Sequence, residues 1–235
     1  MSKPERRAGK SDSDVLDALG DKIGDQIKKG MSKLEEMMSD SKKDVDDGDE
    51  QDERFLDYVR VFLDDRKIGS VAPSSKYLID RMIKSAELAE AKVVVEYGPA
   101  RGVITRRILK KMRPDAKLVA VEFNERFYED LSKRVKDPRL IPVRGDVREI
   151  DKILAGLGLE KADRIFSGVP FALFTGRERH EILTKTSHLL NAGGRFVAIG
   201  YTTHLIPMLK DYFASVDIQF EVRNIPPSFI FTALK

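Results

Sequence analysis

Between residues 92 and 200, short apolar runs alternate with amphipathic stretches, and this pattern restricts the possible folds more than any other feature of the chain. Strands are expected at 92–97, 117–122, 140–144, 163–167 and 194–200. Helices are expected at 102–112, 124–135 and 177–190, with a short one near 149–155. Strands separated by helices pair in parallel, because the chain must cross back before it can run in the same direction again, and such sheets carry helices on both faces. The last two runs, about 216–223 and 228–234, break the pattern. Asn224-Ile225-Pro226-Pro227 is too short for a crossover, so an antiparallel hairpin at the sheet edge is expected. The fold class expected is α/β and Rossmann-like: a seven-stranded, mostly parallel sheet with an antiparallel C-terminal hairpin, preceded by N-terminal helices.

Before the sheet, Leu16, Leu19, Ile23, Ile27, Met31, Leu34 and Met38 recur at steps of three and four, which predicts an amphipathic helix at 14–39. Its stripe suits self-association, an anionic membrane or packing on the domain. Residues 40–53 are acidic and nearly free of apolar groups, so burial cannot offset their ordering entropy and a flexible linker is expected. Phe55, Tyr58, Val59 and Phe62 share one face of a helix at 54–66, and another helix follows at about 75–89. The chain thus divides into an extension, 1–53, and a domain, 54–235, that opens on the helices within 54–89.

With no cysteine in 235 residues, disulfides, thiolate metal sites and cysteine nucleophiles are excluded, which fits a cytoplasmic setting. Residues 1–50 carry 10 basic and 14 acidic groups, net −4. From totals of 42 and 39, that leaves 32 basic and 25 acidic groups, net +7, in 51–235. A basic body favours anionic partners, phospholipid or nucleic acid. No apolar run approaches the ~18–20 residues of a membrane span, so membrane contact is expected to be peripheral, at the inner face of the cell membrane.

The first strand runs into Gly98-Pro99-Ala100-Arg101-Gly102 and then a helix, a turn that lets the backbone approach a ligand at the carboxyl end of the strand. Three acids stand at successive strand ends. Glu96 suits the positively charged amino group of a methionine, and would repel a pyrophosphate. Glu122, roughly twenty residues after the turn, can accept from both hydroxyls of a ribose. Asp146, in Gly145-Asp146-Val147, suits the exocyclic amine of adenine. Together with a turn that is not G-x-G-x-x-G, these acids name S-adenosyl-L-methionine rather than a nicotinamide dinucleotide, with S-adenosyl-L-homocysteine as product. Candidate cofactor contacts are Glu96, Gly98, Pro99, Gly102, Glu122, Asn124, Asp146 and Val147.

Through Glu96-x-Gly98-x-x-x-Gly102, Glu122 and Gly145-Asp146 the sequence resembles the class I methyltransferases over about 90–200. Over about 54–235 it resembles the bacterial phospholipid N-methyltransferases, similar in fold to the rRNA adenine dimethylases. The closer likeness rests on Ile68-Gly69-Ser70-Val71-Ala72-Pro73-Ser74-Ser75-Lys76, Glu96-Tyr97-Gly98-Pro99, Ser167-Gly168-Val169-Pro170-Phe171 and Asn224-Ile225-Pro226-Pro227. The chain departs from that family at Ala100-Arg101, where Gly-Thr is usual, and in the 14–39 helix. The resemblance implies that Ser75 and Ser167 also line the cofactor site. It further implies that the helices within 54–89 form a lid, that the 54–66 helix covers the pocket and places Phe55, Tyr58 and Phe62 near lipid, and that the substrate is phosphatidylethanolamine or a related aminolipid.

Methyl transfer to an amine is an in-line displacement that needs a neutral nucleophile. A lysine-like amine lies roughly 3 units above neutrality, about 4 kcal/mol of deprotonation to offset. Tyr201 and His204, at and beyond the end of the fifth strand, are candidates to accept or position the amine, with Ser167 and the Gly168–Phe171 backbone lining the opening. His180 and His188 have no spacing that suggests a metal, and no catalytic metal is expected. Adenine-N6 enzymes place Asn or Asp before Pro and an aromatic, so that one side chain accepts from the amine while the ring stacks on the base. Here Pro170-Phe171 supply the aromatic wall, but Gly168 takes the polar position, which argues against a nucleobase. The alternatives are an rRNA or tRNA adenine N6-methyltransferase and a non-catalytic adaptor on the same fold.

Overall fold

β1 (Val93–Tyr97) is an interior strand of the sheet, and its Val94, Val95, Glu96 and Tyr97 are at most 1% exposed. A run with hardly a polar group suits a strand covered on both faces. The computed structural model describes residues 74–171, 174–224 and 227–235. The expected helices at 14–39 and 54–66, the linker at 40–53, Phe55, Tyr58, Phe62 and Ile68–Pro73 lie outside the described residues.

β2 (Lys117–Glu122) and β3 (Leu140–Arg144) add in parallel on one side of β1, and β4 (Ala162–Ser167) and β5 (Leu190–Gly200) on the other. The order is β3-β2-β1-β4-β5-β7-β6. β7 (Ser228–Leu234) runs antiparallel between β5 and β6 (Ser215–Glu221), as a C-terminal hairpin must. The chain reverses its direction of winding between β1 and β4, and in such sheets ligands bind beyond the carboxyl ends of the strands at that point.

Alternate strand residues feed two cores, because side chains along a strand point to opposite faces. Val95, Tyr97, Val121 and Ile165 pack toward α4 (Ile150–Gly156), α5 (Gly176–Leu189) and α6 (Leu205–Tyr212). Val94, Leu118, Phe166 and Val197 pack toward α1 (Lys76–Ala86), α2 (Val103–Lys111) and α3 (Glu125–Arg134).

Three expectations are corrected. The helix expected to 89 stops at Ala86, where Glu87 turns left-handed (φ 51°) and a 3-10 turn, Leu88–Glu90, drops Leu88 and Ala91 into the core. β5 begins at Leu190 rather than 194, with its register on β4 interrupted between Ala162 and Arg164. α6 was not expected, because Pro207 sits inside it. It is the third helical residue, where an N–H has no intrahelical acceptor and proline costs little.

Candidate active site

The turn after β1 is held open by backbone conformation. Gly98, Ala100 and Gly102 all have positive φ (65°, 46° and 73°), and Gly102 begins α2. At Gly98 an added Cβ would lie 2.8 Å from Val169 Cγ2, and at Gly102 2.7 Å from Leu131 Cδ1, so glycine is required at both for space as well as for φ. Ala100 adopts the left-handed region with a side chain, at a cost of roughly 1 kcal/mol. Neighbouring strand ends are tied to one another beyond the ladder. The Gly98 N–H donates to Val121 O (2.9 Å), Gly168 N–H to Tyr97 O (2.9 Å) and Gly145 N–H to Glu122 O (3.0 Å).

Glu96 and Glu122 end adjacent strands in very different surroundings. Glu122 accepts from the Ala100 N–H at Oε2 and the Asn124 N–H at Oε1, both at 2.9 Å. Burial raises its pKa, and those amides pull the other way. It therefore braces the turn while keeping lone pairs for a further donor. Glu96 is 1% exposed and neither oxygen has a hydrogen-bond partner among the described residues. Burial pushes its pKa up to about 8; Thr105, nearby but outside hydrogen-bonding geometry, tempers the rise, and the Glu122 charge adds to it. An unpaired buried carboxyl is costly unless something pairs with it. A cationic amine beside it supplies that pairing, so the residues present fit an S-adenosylmethionine held by its methionine amine at Glu96 and its ribose at Glu122.

Asp146 caps the 3-10 turn Val147–Glu149 through the Arg148 N–H (2.8 Å), and its other oxygen receives Arg148 Nε (2.8 Å) and a terminal nitrogen (2.6 Å). Arg148 also reaches Glu178 Oε1 (3.0 Å), whose Oε2 closes the capping box of α5 at Thr175. The sequence reading missed this bridge, since nothing in the spacing of Arg148 and Glu178 marks a contact 30 residues apart. Asp146, Arg148, Phe123, Asn124 and Gly145 line an open groove of about 1010 Å³ beside the β2 and β3 ends. Asn124 caps α3 through the Phe127 N–H (3.1 Å). The Val147 side chain is buried, leaving its backbone as the part that can face a ligand.

On the β4–β5 side several expected groups are placed differently. Ser167 is fully buried, its Oγ accepting from the Val169 N–H (3.3 Å), so it shapes the loop. Phe171 is not an open aromatic wall. It is 6% exposed, with its ring edge-on to Phe174 and Phe196 at 6.0 Å from each, because those phenylalanines give it an apolar site under the sheet. Pro170 is half-buried. Tyr201 is half-buried and burial raises its pKa, so its phenol stays protonated at neutral pH. His204 is exposed at the start of α6. His180 Nδ1 pairs with the Tyr212 hydroxyl (2.7 Å).

Ser75 caps α1 with its hydroxyl (Leu78 N–H, 3.2 Å), and its N–H donates to Asn224 Oδ1 (2.8 Å). Asn224, 2% exposed, donates in turn to Ser228 Oγ (2.9 Å). Two motifs 149 residues apart are thereby one structural unit. The Ser75 hydroxyl accepts as the cap of α1 and keeps its O–H to donate elsewhere.

Comparison with known proteins agrees with this geometry. The profile of the ribosomal RNA adenine dimethylase family matches residues 67–154. The ornithine lipid N-methyltransferase of Singulisphaera acidiphila is 30% identical over 176 residues, 74% of this chain and 92% of that protein. Ribosomal RNA small subunit methyltransferase A of Nostoc is 30% identical over 102 residues, 41% of this chain and 36% of that protein. Among solved structures, the 1,6-didemethyltoxoflavin-N1-methyltransferase of Burkholderia thailandensis, with bound S-adenosylhomocysteine, superposes with a TM-score of 0.60. It is 18% identical, covers 82% of this chain and 92% of its own, and so speaks for the fold. Fold and site define a class I methyltransferase that uses S-adenosylmethionine. The chain belongs to the family of the ornithine lipid N-methyltransferase, related to the ribosomal RNA adenine dimethylases.

Proposed function

We propose that this enzyme methylates the primary amine of a lipid headgroup, in an ornithine lipid, phosphatidylethanolamine or a related aminolipid, at an anionic membrane surface facing the cytoplasm. The observation that carries this reading is at Gly168. A Cβ there would lie 3.0 Å from Gly98 O, and position 168 itself carries no side-chain amide or carboxylate to accept from an adenine amine. With Phe171 turned into the core, its ring is not presented for a base to stack on. An amine on a flexible headgroup needs neither. The likeness to the ornithine lipid enzyme along 92% of its length supports the same choice.

The bound cofactor supplies an electrophilic methyl. The residues of the chain hold and orient. Glu96 pairs the methionine amine, Glu122 the ribose, and Asp146, steadied by Arg148, the adenine end. The half-buried Tyr201 phenol, protonated at neutral pH, orients the incoming amine rather than taking its proton. Exposed His204 stands where a proton can pass to water. Desolvation at the mouth lowers the cost of the neutral amine.

The test is transfer of radiolabelled methyl groups to total lipid and total RNA in parallel. Label in an amine-bearing lipid is expected. Label in RNA adenine with none in lipid overturns the reading in favour of the dimethylase-like alternative, which the 67–154 profile match supports.

A further inference from the structure

The β6–β7 turn lies on the same edge of the sheet as the site. Gly200 of β5 pairs with Phe229, and Glu221 with Ser228, so Val222 and Arg223, which follow β6, stand at the carboxyl ends of the parallel strands. The end of β6 is three strands beyond β4, about 14 Å across at ordinary strand spacing. The Ser75–Asn224 hydrogen bond brings the start of α1 to the same place.

What these segments present is amphipathic. Val222 is 55% exposed and Tyr77 39%. The Arg223 guanidinium lies 4.0 Å from the Tyr77 ring centroid and Lys76 Nζ 5.0 Å from it. Arg223 and Arg81 also share the buried Glu221, at 2.8 Å each. Two guanidiniums thus meet one carboxylate, and Lys76 stands over the Tyr77 ring that Arg223 also covers, so three cations accompany one acid beside an exposed valine. The guanidiniums are already fixed, so little side-chain entropy is lost when they meet an anion. A phosphate backbone would use the cations but gain nothing from Val222. A bilayer interface uses both, with aromatic and apolar groups at headgroup depth and cations on phosphates.

We infer that Lys76, Tyr77, Val222 and Arg223 form the surface by which the enzyme seats on anionic phospholipid, bringing the mouth between β1 and β4 against the headgroups. The inference rests on the lipid-amine reading, and it names which part of the domain meets the bilayer.

The chain has no tryptophan, so Val222→Trp installs a single indole at the proposed depth. Its emission should shift to the blue with vesicles of phosphatidylglycerol and phosphatidylcholine, and stay put with phosphatidylcholine alone. Lys76→Glu should weaken vesicle binding at least about tenfold, because each cation at an anionic surface is worth about fivefold and the change spans two charges. An acid in the first turn of α1 suits the helix, so folding is kept, and a circular-dichroism melt checks this. Lys110→Glu, the same charge change on exposed α2, should alter binding less than about twofold, as the effect dies within a Debye length. Unchanged indole emission on vesicles that the protein does bind overturns the inference. So do equal effects of the two charge reversals, absence of vesicle binding, or an emission shift produced by RNA instead. Methyl transfer to an aminolipid in detergent micelles separates the two readings: no transfer there sinks the lipid-amine function, while the indole shift still reports the docking surface.

Discussion

On the β1–β2–β3 side of the rim the candidate groups are carboxylates and backbone amides, whereas on the β4–β5 side they are hydroxyls and aromatic rings that turn out largely buried. The first side is built by local chain geometry: left-handed turn residues, strand-end acids and caps two or three residues away. The second is built by packing among Phe171, Phe174, Phe196 and Phe213 from three separate segments. A cofactor common to a whole class can be held by local devices. The substrate side is free to change, because what its residues face depends on their neighbours in the core.

Phe171→Ala tests this contrast most severely. A core ring predicts a loss of about 3–5 kcal/mol in stability, seen as a lower chemical-denaturation midpoint. An unchanged midpoint with a raised KM would return Phe171 to the substrate wall. Next in size, Glu122→Ala removes the acceptor for two turn amides as well as the ribose partner. Cofactor affinity measured by calorimetry should fall roughly 30- to 150-fold, the equivalent of about 2–3 kcal/mol. Equal affinity would show the ribose contact to be elsewhere.

Glu96 gives a prediction with two opposite signs. Its folded pKa of about 8 lies above its ordinary 4.5 through burial, so its contribution to stability is full below about pH 4.5 and is lost as pH rises through about 8. The cofactor-free protein should melt lower at pH 8.5 than at pH 6, and Glu96→Gln should remove that drop. Cofactor affinity should run the other way. It should tighten by up to about tenfold per pH unit toward pH 8, as the carboxyl that pairs the amine loses its proton, and Glu96→Gln should be weak and flat. A wild-type affinity independent of pH would separate Glu96 from the amine. The smallest effect is expected at Ala100→Gly, which relieves a left-handed alanine. A gain of roughly 0.5–1 kcal/mol should appear as a modest rise in Tm, and a loss would show that the Ala100 methyl packs usefully.

Much of the fold was legible in the chain because it depends on periods of two and near four and on connection length. The expected bounds of β2, β3 and β7 match the observed ones, and Asn224–Pro227 was too short for anything but a hairpin. The helix at 205–212 was hidden by Pro207, whose cost depends on its position within the first turn. Within the site, Gly98, Gly102, Glu122 and Asp146 could be singled out from spacing alone. Their partners could not, as Arg148 with Glu178 and Ser75 with Asn224 show.

By itself the sequence determined the order of strands and helices, the place of the cofactor turn and the acids that border it, since these follow from residues close together along the chain. Tertiary structure alone decided that Glu96 is bare while Glu122 is braced, that Phe171 faces inward and that Val222 and Tyr77 face out at the rim. Burial and pairing are properties of what distant segments bring to the same point, and two glutamates at neighbouring strand ends differ only in that company.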